Sequence, residues 1–404
     1  MPPLGQTSNP STGPAAAIAV PVGLLVFLSG IGPFAMISVV PLIPQMGTSF
    51  GISYGVAQSA LSVYFAFFAV AQLVLGPISD RIGRRPVMIG AVGLFVLGSV
   101  ASAAAAEFWM VLGGRGLQAF GAAAGVVVTR AIMFDVYGRE KSASLIGYLT
   151  MAMVIGPMFA PTIAGLFATH LGWQYLFWFH FVAGLLAMLW LVRGLPETRW
   201  LGEAADAPPQ GFFDGVPLLK HPVFLSYAIN WAFGVGIYYA FLAGAAYIVV
   251  EQMGRSEAEY GMYFIVAALC YMAGSFISAR YAMHLGLLRF IKIGTLLALC
   301  AALGQWFVQD LPHPIYVFAP MMGVALANGF VTPNAVASAM AVVPRLAGAA
   351  SGLAGFLQIS LGAVVTLLVG FMQNEFDFAM ALVMSVCSIL ATLVLVVGRF
   401  QPDK

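Results

Sequence analysis

Long apolar stretches separated by short polar breaks run along the entire chain. Each stretch reaches about 20 residues or more, the length that an α-helix needs to cross the hydrocarbon of a bilayer. Helical spans are predicted at residues 17–45, 54–77, 86–105, 108–134, 143–169, 173–195, 223–250, 258–282, 287–308, 314–341, 347–372 and 375–398. The pattern therefore predicts an all-α integral membrane protein with twelve transmembrane helices.

One polar break is longer than the others and divides the spans into six and six. The predicted organisation is a cytoplasmic tail (1–16), a six-helix bundle (17–195), a cytoplasmic linker (196–222), a second six-helix bundle (223–398) and a cytoplasmic tail (399–404). The segment that begins at Gly76 has a weak counterpart beginning at Gly274, at an offset of 198, with Ser278 in the place of Asp80. Parallel repeats of this kind are typical of transporters that hold their substrate between two pseudo-symmetric halves.

Composition and charge agree with a membrane location. The 404 residues are 61% hydrophobic and 8% charged, whereas soluble domains are about 45–50% apolar and 25% charged. When the N-terminus is placed in the cytoplasm, fifteen Lys and Arg residues fall on the cytoplasmic side, Arg255 falls on the opposite side, and Arg115 lies inside a span. This asymmetry satisfies the positive-inside rule and predicts that both termini are cytoplasmic.

Several classes of partner are disfavoured by the same composition. The net charge is only +2 and no basic domain is present, so nucleic acid is not an expected partner. The three cysteines, Cys270, Cys300 and Cys387, lie in apolar runs and match no metal-ligand spacing, so neither a metal nor a cofactor is predicted. No phosphate-binding loop of the G-x-x-x-x-G-K-[ST] type is present, which disfavours ATP as a direct energy source.

The segment GPISDRIGRRPVMIG, residues 76–90, concentrates charge between the second and third spans. Its glycines allow a tight turn and close helix approach, and its carboxylate can form ion pairs with neighbouring arginines. Such pairs can form in one conformation and break in another. The predicted cytoplasmic gating motif consists of Gly76, Asp80, Arg81, Gly83, Arg84 and Arg85.

Five segments resemble motifs of the major facilitator superfamily. GPISDRIGRRPVMI resembles its motif A, and RGLQAFGAAAGVVVTRAIMFDVYG (115–138) resembles the fourth-span motif of its drug:proton antiporter branch. IGPMFAPTIAGLF (155–167) is similar to the fifth-span motif of exporters. FVTPNAVASAMA (330–341) and GAASGLAGFLQISLGA (348–363) resemble the bicyclomycin/chloramphenicol-resistance subfamily.

The resemblance implies two six-helix bundles that work by alternating access in a bacterial inner membrane. It also implies export of small amphipathic compounds, such as chloramphenicol or bicyclomycin, in exchange for protons. The chain is expected to act as a monomer, with membrane lipid and a small-molecule substrate as its partners. The resemblance does not supply the identity of that substrate.

Arg115 is the leading candidate for substrate binding or coupling. It lies about 12 Å into the predicted fourth span, where a cation is costly and is therefore expected to be functional. The alternative, without a functional role, is that the Arg115 side chain extends to the membrane interface. Gln118, one turn further along, faces the same side of the helix. The counterpart of Arg115 in the family is implicated in proton coupling and substrate binding.

The acidic partner that many relatives carry in the first span is absent. Ile37, in FAMISVVPLIP, occupies the corresponding position, and no acidic residue is predicted at mid-membrane. Three alternatives therefore remain open. Arg115 binds an anionic or carbonyl-bearing substrate, an acid at the membrane rim such as Glu107 titrates, or His180 in the sixth span titrates. For His180, a packing role beside Trp178 is the alternative.

A polar and aromatic set is expected to face the central cavity. Intramembrane amides rarely face lipid, and the candidates are Tyr64, Asn230, Tyr238, Tyr239, Tyr271, Asn328, Asn334 and Gln358. In the fifth span, Gly156, Pro157, Pro161 and Gly165 are predicted to form a hinge, because prolines bend a helix and glycines admit a close neighbour. A purely structural role fits these four residues equally well.

The leading hypothesis is a secondary multidrug exporter rather than an enzyme. The alternative is an exporter of an endogenous metabolite or siderophore, with Arg115 as the binding group for an anionic one. Uptake is less favoured because of the fifth-span motif. A membrane-embedded enzyme would need a site such as H-E-x-x-H or an intramembrane acid pair, and a channel would need a pore helix. Neither feature is found in the sequence.

Overall fold

The computed structural model describes residues 20–198, 216–308, 311–343, 347–373 and 375–401, and these residues form helices without any strand. The helices are α1 (Val22–Ser38), α2 (Ile43–Phe50), α3 (Tyr54–Ile82), α4 (Arg84–Ala103), α5 (Phe108–His170), α6 (Trp173–Gly194), α7 (Pro222–Ala246), α8 (Glu257–Leu285), α9 (Leu287–Val308), α10 (Pro314–Ala341), α11 (Ala347–Met372) and α12 (Ala379–Val397). The tail 1–16, most of the linker (199–215) and residues 402–404 lie outside the described residues.

The predicted spans agree closely with the helices in the second half of the chain. The predictions 287–308, 314–341 and 347–372 coincide with α9, α10 and α11. Within the described residues, eleven helical segments are long and apolar enough to cross a membrane. The predicted fifth span, whose side chains are described only in part, lies in the C-terminal part of α5. The fold is that of an all-α membrane protein made of two six-helix halves.

The charged segment at residues 76–90 is helical rather than a loop, which corrects the sequence-based boundaries. α3 continues to Ile82 and α4 begins at Arg84, so Gly83 alone separates the two helices. Gly83 has a φ of 118°, a left-handed value that only glycine adopts at low cost. Hydropathy placed the ends of the spans too early because it marks where apolar residues stop, not where backbone hydrogen bonding stops.

The fourth and fifth spans form one continuous helical segment, where two separate helices were predicted. Arg130 Nη2 nevertheless lies 3.9 Å from Met153 Sδ, although 23 residues of straight helix would separate the two by about 35 Å. Gly125 and Gly156 also both pack against one short stretch of α1, between Leu28 and Phe34. The segment therefore reverses direction and has two arms, one on each side of the reversal.

The first span is interrupted instead of continuous. α1 ends at Ser38, a single turn of 3₁₀ helix follows at Val40–Leu42, and α2 begins at Ile43. Pro41 and Pro44 cannot donate backbone hydrogen bonds to the carbonyl groups four residues earlier, which explains the break. The break exposes the last carbonyl groups of α1 at a buried position inside the first half.

Two names describe the ends of the helical bundle. The basic end is the one at which α3 ends and α4 begins, with Arg84 and Arg85; the acidic end is the opposite one, with Glu251, Glu257 and Asp377. At the acidic end the halves are in tight contact: Tyr54 Oη donates to the carbonyl of Ala243 at 2.5 Å. Further contacts between the halves join α3 to α11 and α5 to α8.

Candidate functional site

Arg115 lies on the first arm of α5 and is completely buried. Its guanidinium is enclosed by α1, α3 and α5, all in the first half of the chain. It donates to the carbonyl oxygens of Ala35 at 2.9 Å, Ala60 at 3.3 Å and Met36 at 3.5 Å, and to Gln118 Oε1 at 2.6 Å. All of these contacts lie within the first half.

The broken end of α1 supplies the negative charge that no carboxylate supplies. Ala35 and Met36 belong to the last turn of α1, where carbonyl groups lack the backbone partners of a helix interior; Ala35 also accepts from Ser38 Oγ at 3.4 Å. The end of a helix where these carbonyl groups point carries a partial negative charge of about half an electron. Among the described residues, no carboxylate contacts Arg115. The counter-charge of this buried cation is therefore a helix end.

The ring of Tyr64 adds a second favourable interaction. The Arg115 Cζ atom lies 4.0 Å from the centre of that ring, within the range of a cation–π interaction. The Tyr64 hydroxyl donates to the carbonyl of Gly32 at 3.0 Å. Tyr64 therefore ties α3 to α1 while one face of its ring covers the guanidinium.

Gln118 and His180 continue the hydrogen bonding away from Arg115. The Gln118 amide nitrogen lies 2.8 Å from Ser99 Oγ and 3.2 Å from His180 Nδ1. His180 Nε2 lies 3.1 Å from Ser38 Oγ. All these side chains are buried. The structure thus brings together Tyr64, Arg115, Gln118 and His180 inside the first half, and their facing a cavity between the halves stays a prediction.

Three other predicted residues lie where the two halves meet at mid-depth. The Tyr239 ring is 4.6 Å from that of Phe65 on α3 and 5.7 Å from that of Tyr238. Gln358 on α11 donates to the Tyr239 hydroxyl at 2.6 Å. We call Phe65, Tyr238, Tyr239 and Gln358 the aromatic–amide cluster. It combines stacking surfaces with a few polar groups, as small-molecule sites commonly do.

The remaining predicted cavity residues are held within the second half. Asn230 donates to Thr295 Oγ1 at 3.3 Å and to the carbonyl of Ala391 at 2.9 Å. Asn334 donates to Ser278 Oγ at 2.7 Å. Asn328 is buried on α10 beside Gly234, and Tyr271 is half-buried on α8. That these four side chains face the central cavity stays a prediction.

The gating motif forms a charge cluster at the basic end. Arg84 pairs with Asp80 on the preceding turn, and its Nε donates to Asp135 Oδ2 on α5 at 2.9 Å. Burial raises the pKa of the Asp135 carboxyl, and the hydrogen bond from Arg84 offsets this only in part. In the second half Ser278 takes the place of Asp80, and it accepts from Asn334 at 2.7 Å. This pair carries no charge.

Glu197, three residues beyond the end of α6, adds a carboxylate to this cluster. Its two oxygens accept from the backbone N–H groups of Arg84 at 2.9 Å and Arg85 at 3.1 Å. These are the first residues of α4, where a negative charge is favourable. Arg85 also donates to the carbonyl of Val192 on α6 at 2.9 Å. The cluster joins α3, α4, α5 and α6 into one unit at the basic end.

We expect Gly83→Ala to destabilise this unit. A Cβ at Gly83 would lie 2.6 Å from Glu197 Oε2, and the left-handed backbone would cost about 1–3 kcal/mol. Thermal unfolding of the purified protein should show a clearly lower melting temperature. Gly90→Ala in α4 is the matched control, because a Cβ there meets no atom within 4 Å. Equal melting temperatures for both variants would contradict the assigned role of Glu197.

The predicted hinge residues mediate close helix packing. A Cβ on Gly165 would lie 2.3 Å from the carbonyl oxygen of Glu257 on α8. Nearby, Thr162 Oγ1 donates to the carbonyl of Gly261 at 2.7 Å. Gly156 packs on α1, and Pro157 and Pro161 lie within α5. The glycine at 165 lets the two halves touch at the acidic end, and a hinge motion stays a prediction.

Sequence reasoning missed several residues that complete these arrangements. Ser38 and Ser99 bind the imidazole and amide of the buried network, and Glu197 covers the start of α4. The end of α1 could have been predicted from the prolines at positions 41 and 44, because prolines at these positions indicate a helix end near Ile37. Nothing local in the sequence indicated that Arg115 would bind that end.

Comparison with known proteins places this architecture in a family. Residues 22–367 match the Major Facilitator Superfamily. The chain belongs to this superfamily and is a multi-pass membrane transporter.

Several relatives of known name match over most of their length. Multidrug resistance protein D of Escherichia coli is 27% identical over 92% of this chain and 93% of its own. A chloramphenicol resistance protein of Pseudomonas aeruginosa is 28% identical over 88% of this chain and 84% of its own. A bicyclomycin resistance protein homolog of Haemophilus influenzae is 25% identical over 91% of this chain and 92% of its own.

Solved structures share the fold at low sequence identity. The crystal structure of a D-xylose-proton symporter superposes with a TM-score of 0.75 at 16% identity, covering 95% of this chain and 97% of the symporter. A bacterial homolog of the human lysosomal transporter Spinster gives a TM-score of 0.74 at 16% identity, covering 93% of this chain and 95% of that protein. These similarities establish the fold.

Proposed function

We propose that the protein is a secondary active exporter of small amphipathic compounds, including antibiotics, driven by proton antiport. The observation that carries the proposal is the full-length similarity to relatives named for multidrug, chloramphenicol and bicyclomycin resistance. The aromatic–amide cluster supports it, because aromatic rings and an amide suit varied amphipathic ligands. We infer that substrate binds there, at mid-depth between the halves.

The closed acidic end has the properties of a gate. Gln58 on α3 and Gln373 beyond α11 are buried near the contact between the halves, and their amide groups have no hydrogen-bond partner among the described residues. Each buried amide of this kind costs about 1–3 kcal/mol. Opening this end would hydrate both groups and recover that cost. The two unpaired amides therefore oppose closure of this end. A closed state that is destabilised in this way can reopen, as alternating access requires.

Orientation follows from the charge distribution. We infer that the basic end faces the cytoplasm of a bacterial cell, with both termini on that side. The contact of Tyr54 with Ala243 and of Gly165 with Glu257 then closes the outer side. In this arrangement a cytoplasmic compound reaches the aromatic–amide cluster from the basic end and leaves when the acidic end opens.

Reconstitution into proteoliposomes tests export and its energy source together. We expect an imposed pH gradient to drive movement of at least one compound in a panel of chloramphenicol, a lipophilic cation and an organic anion. Protein-free liposomes are the control. Movement that is indifferent to the gradient would contradict proton antiport, and the absence of movement for every compound would contradict the export of amphipathic drugs.

Export of an anionic metabolite bound by Arg115 is less well supported. The guanidinium already has four hydrogen-bond acceptors and lies entirely within the first half. An anion could reach it only after these interactions break. The organic anion in the panel tests this alternative directly, since selective movement of the anion would favour it over drug export.

A further inference from the structure

A closed ring of hydrogen bonds links Arg115 to a histidine. Arg115 Nη1 contacts Gln118 Oε1 at 2.6 Å, the Gln118 amide nitrogen contacts His180 Nδ1 at 3.2 Å, and His180 Nε2 contacts Ser38 Oγ at 3.1 Å. Ser38 Oγ donates to the carbonyl of Ala35 at 3.4 Å. Arg115 Nη1 donates to the same carbonyl at 2.9 Å, which closes the ring.

The direction of every hydrogen bond in this ring follows from Arg115. A guanidinium only donates, so the oxygen of the Gln118 amide must face it and the nitrogen must face His180. An amide nitrogen only donates, so His180 Nδ1 accepts and carries no proton. Ser99 Oγ gives independent support: it donates to the carbonyl of Phe95 at 2.7 Å and therefore accepts from Gln118. His180 is then neutral, and its Nε2–H donates to Ser38.

A proton on Nδ1 is incompatible with this arrangement. It would place an N–H group against the amide nitrogen of Gln118. Relief requires Gln118 to rotate its amide, so that the oxygen accepts from Nδ1–H and the nitrogen turns toward Arg115. Two donors then oppose each other, and Arg115 loses its bond to Gln118. Protonation of His180 and the present position of Arg115 therefore exclude one another.

We propose that His180 is the proton-binding site of the transport cycle and that Gln118 transmits its protonation to Arg115. The proposal rests on the proposed function as a proton-coupled exporter. The proton comes from water, binds Nδ1 when the site becomes hydrated, and returns to water when the ring re-forms. Arg115 leaves the end of α1 in the protonated state and binds it again in the neutral state.

The surroundings of His180 favour this coupling. Its neighbours are Phe34 and Ser38 on α1, Phe95 on α4, Gln118 on α5, and Phe177 and Phe179 on α6. Among the described residues, Arg115 is the charged group that faces it, and Tyr64 is the next titratable group, beyond Arg115. Two adjacent positive charges are unfavourable in an apolar site. Proton uptake and displacement of Arg115 therefore occur together.

The variant His180→Asn tests the proton site. Asparagine keeps an acceptor near the position of Nδ1 but does not titrate. With chloramphenicol, or the panel compound that the wild-type protein moves, we compare transport driven by a pH gradient with exchange at equal pH. We expect the ratio of gradient-driven transport to exchange at equal pH to fall at least about 10-fold in this variant. His284→Asn, at the exposed end of α8, is the control and should keep the wild-type ratio.

An unchanged ratio in His180→Asn would overturn the proposal. A wild-type protein that ignores the gradient would instead refute proton antiport, and this outcome is visible without any variant. Should His180→Asn fail to fold, nitrogen-15 NMR of histidine-labelled wild-type protein in nanodiscs still decides. At high pH we expect a neutral imidazole that carries its proton on Nε2, and at low pH a second proton on Nδ1. A neutral imidazole with its proton on Nδ1, or one that stays neutral throughout the pH range in which transport responds to the gradient, would overturn the proposal.

Gln118→Glu tests the transmitting step. A carboxylate accepts from Arg115 and from a protonated Nδ1 at the same time, so the two states no longer exclude one another. We expect this variant to lose transport driven by the pH gradient although His180 is intact. Gradient-driven transport at the wild-type rate would overturn the role of Gln118.

Discussion

Replacing Arg115 with alanine is expected to abolish transport and to lower the stability of the first half. The guanidinium satisfies three backbone carbonyls and the Gln118 oxygen in a site without water access. Hydrogen bonds to a charged group contribute about 1.5–3 kcal/mol each, and removing the donor leaves buried acceptors unpaired. The measurements are transport in proteoliposomes and thermal unfolding.

Two further variants separate function from folding. Arg115→Lys keeps the charge but cannot reproduce the planar fork of donors, so we expect a folded protein with severely reduced transport. Arg280→Ala removes an exposed arginine near the end of α8 and should behave like the wild type in both assays. Normal transport by Arg115→Ala would show that the buried network is not part of the mechanism.

Introducing a methyl group at Gly165 is expected to open the acidic end. The new Cβ would lie 2.3 Å from the carbonyl oxygen of Glu257, so α5 and α8 could not keep their present distance. Overpacking costs about 1–3 kcal/mol, which shifts a two-state equilibrium roughly 5- to 150-fold. Spin labels at Ser49 and Gln252, in a background without cysteines, report the distance between the halves at this end.

Gly304→Ala is the matched control for that experiment. A Cβ at Gly304 in α9 meets no atom within 4 Å. This variant therefore gains the same helix propensity as Gly165→Ala but makes no new contact with a neighbouring helix. We expect the distance distribution of Gly165→Ala to move to longer values while that of Gly304→Ala stays unchanged. Identical distributions would mean that the contact of α5 with α8 does not control closure.

The spans of the protein were predictable because they depend on local hydrophobicity. α9, α10 and α11 coincide with the apolar runs, since their ends have clear polar or proline boundaries. The helical junction at Gly83 and the continuous α5 were not predicted, because charged residues in the last turns of a helix look like a loop to any hydropathy measure. The sequence predicted correctly that the chain changes direction between the fourth and fifth spans. It predicted wrongly that the helical structure breaks there.

The candidate site was predictable in its chemistry but not in its geometry. Arg115, Gln118, His180 and Tyr64 were singled out one by one as polar or aromatic groups within spans, and the structure brings them together. In this conformation their contacts lie within the first half, and their place between the halves stays a prediction. The geometry was not predictable because close helix packing decides which face of α5 points inward: a Cβ on Gly125 would lie 2.0 Å from the carbonyl oxygen of Leu28.

The sequence by itself determined the number of spans, their order and the lack of an acidic residue at the predicted mid-membrane positions. These properties are local, since each depends on a run of neighbouring residues. Only the tertiary structure decided that the broken end of α1, about 80 positions away along the chain, neutralises Arg115. Backbone carbonyls are present in every residue and leave no mark in the sequence. Which of them become ligands depends on where a helix stops and which other helix passes its end.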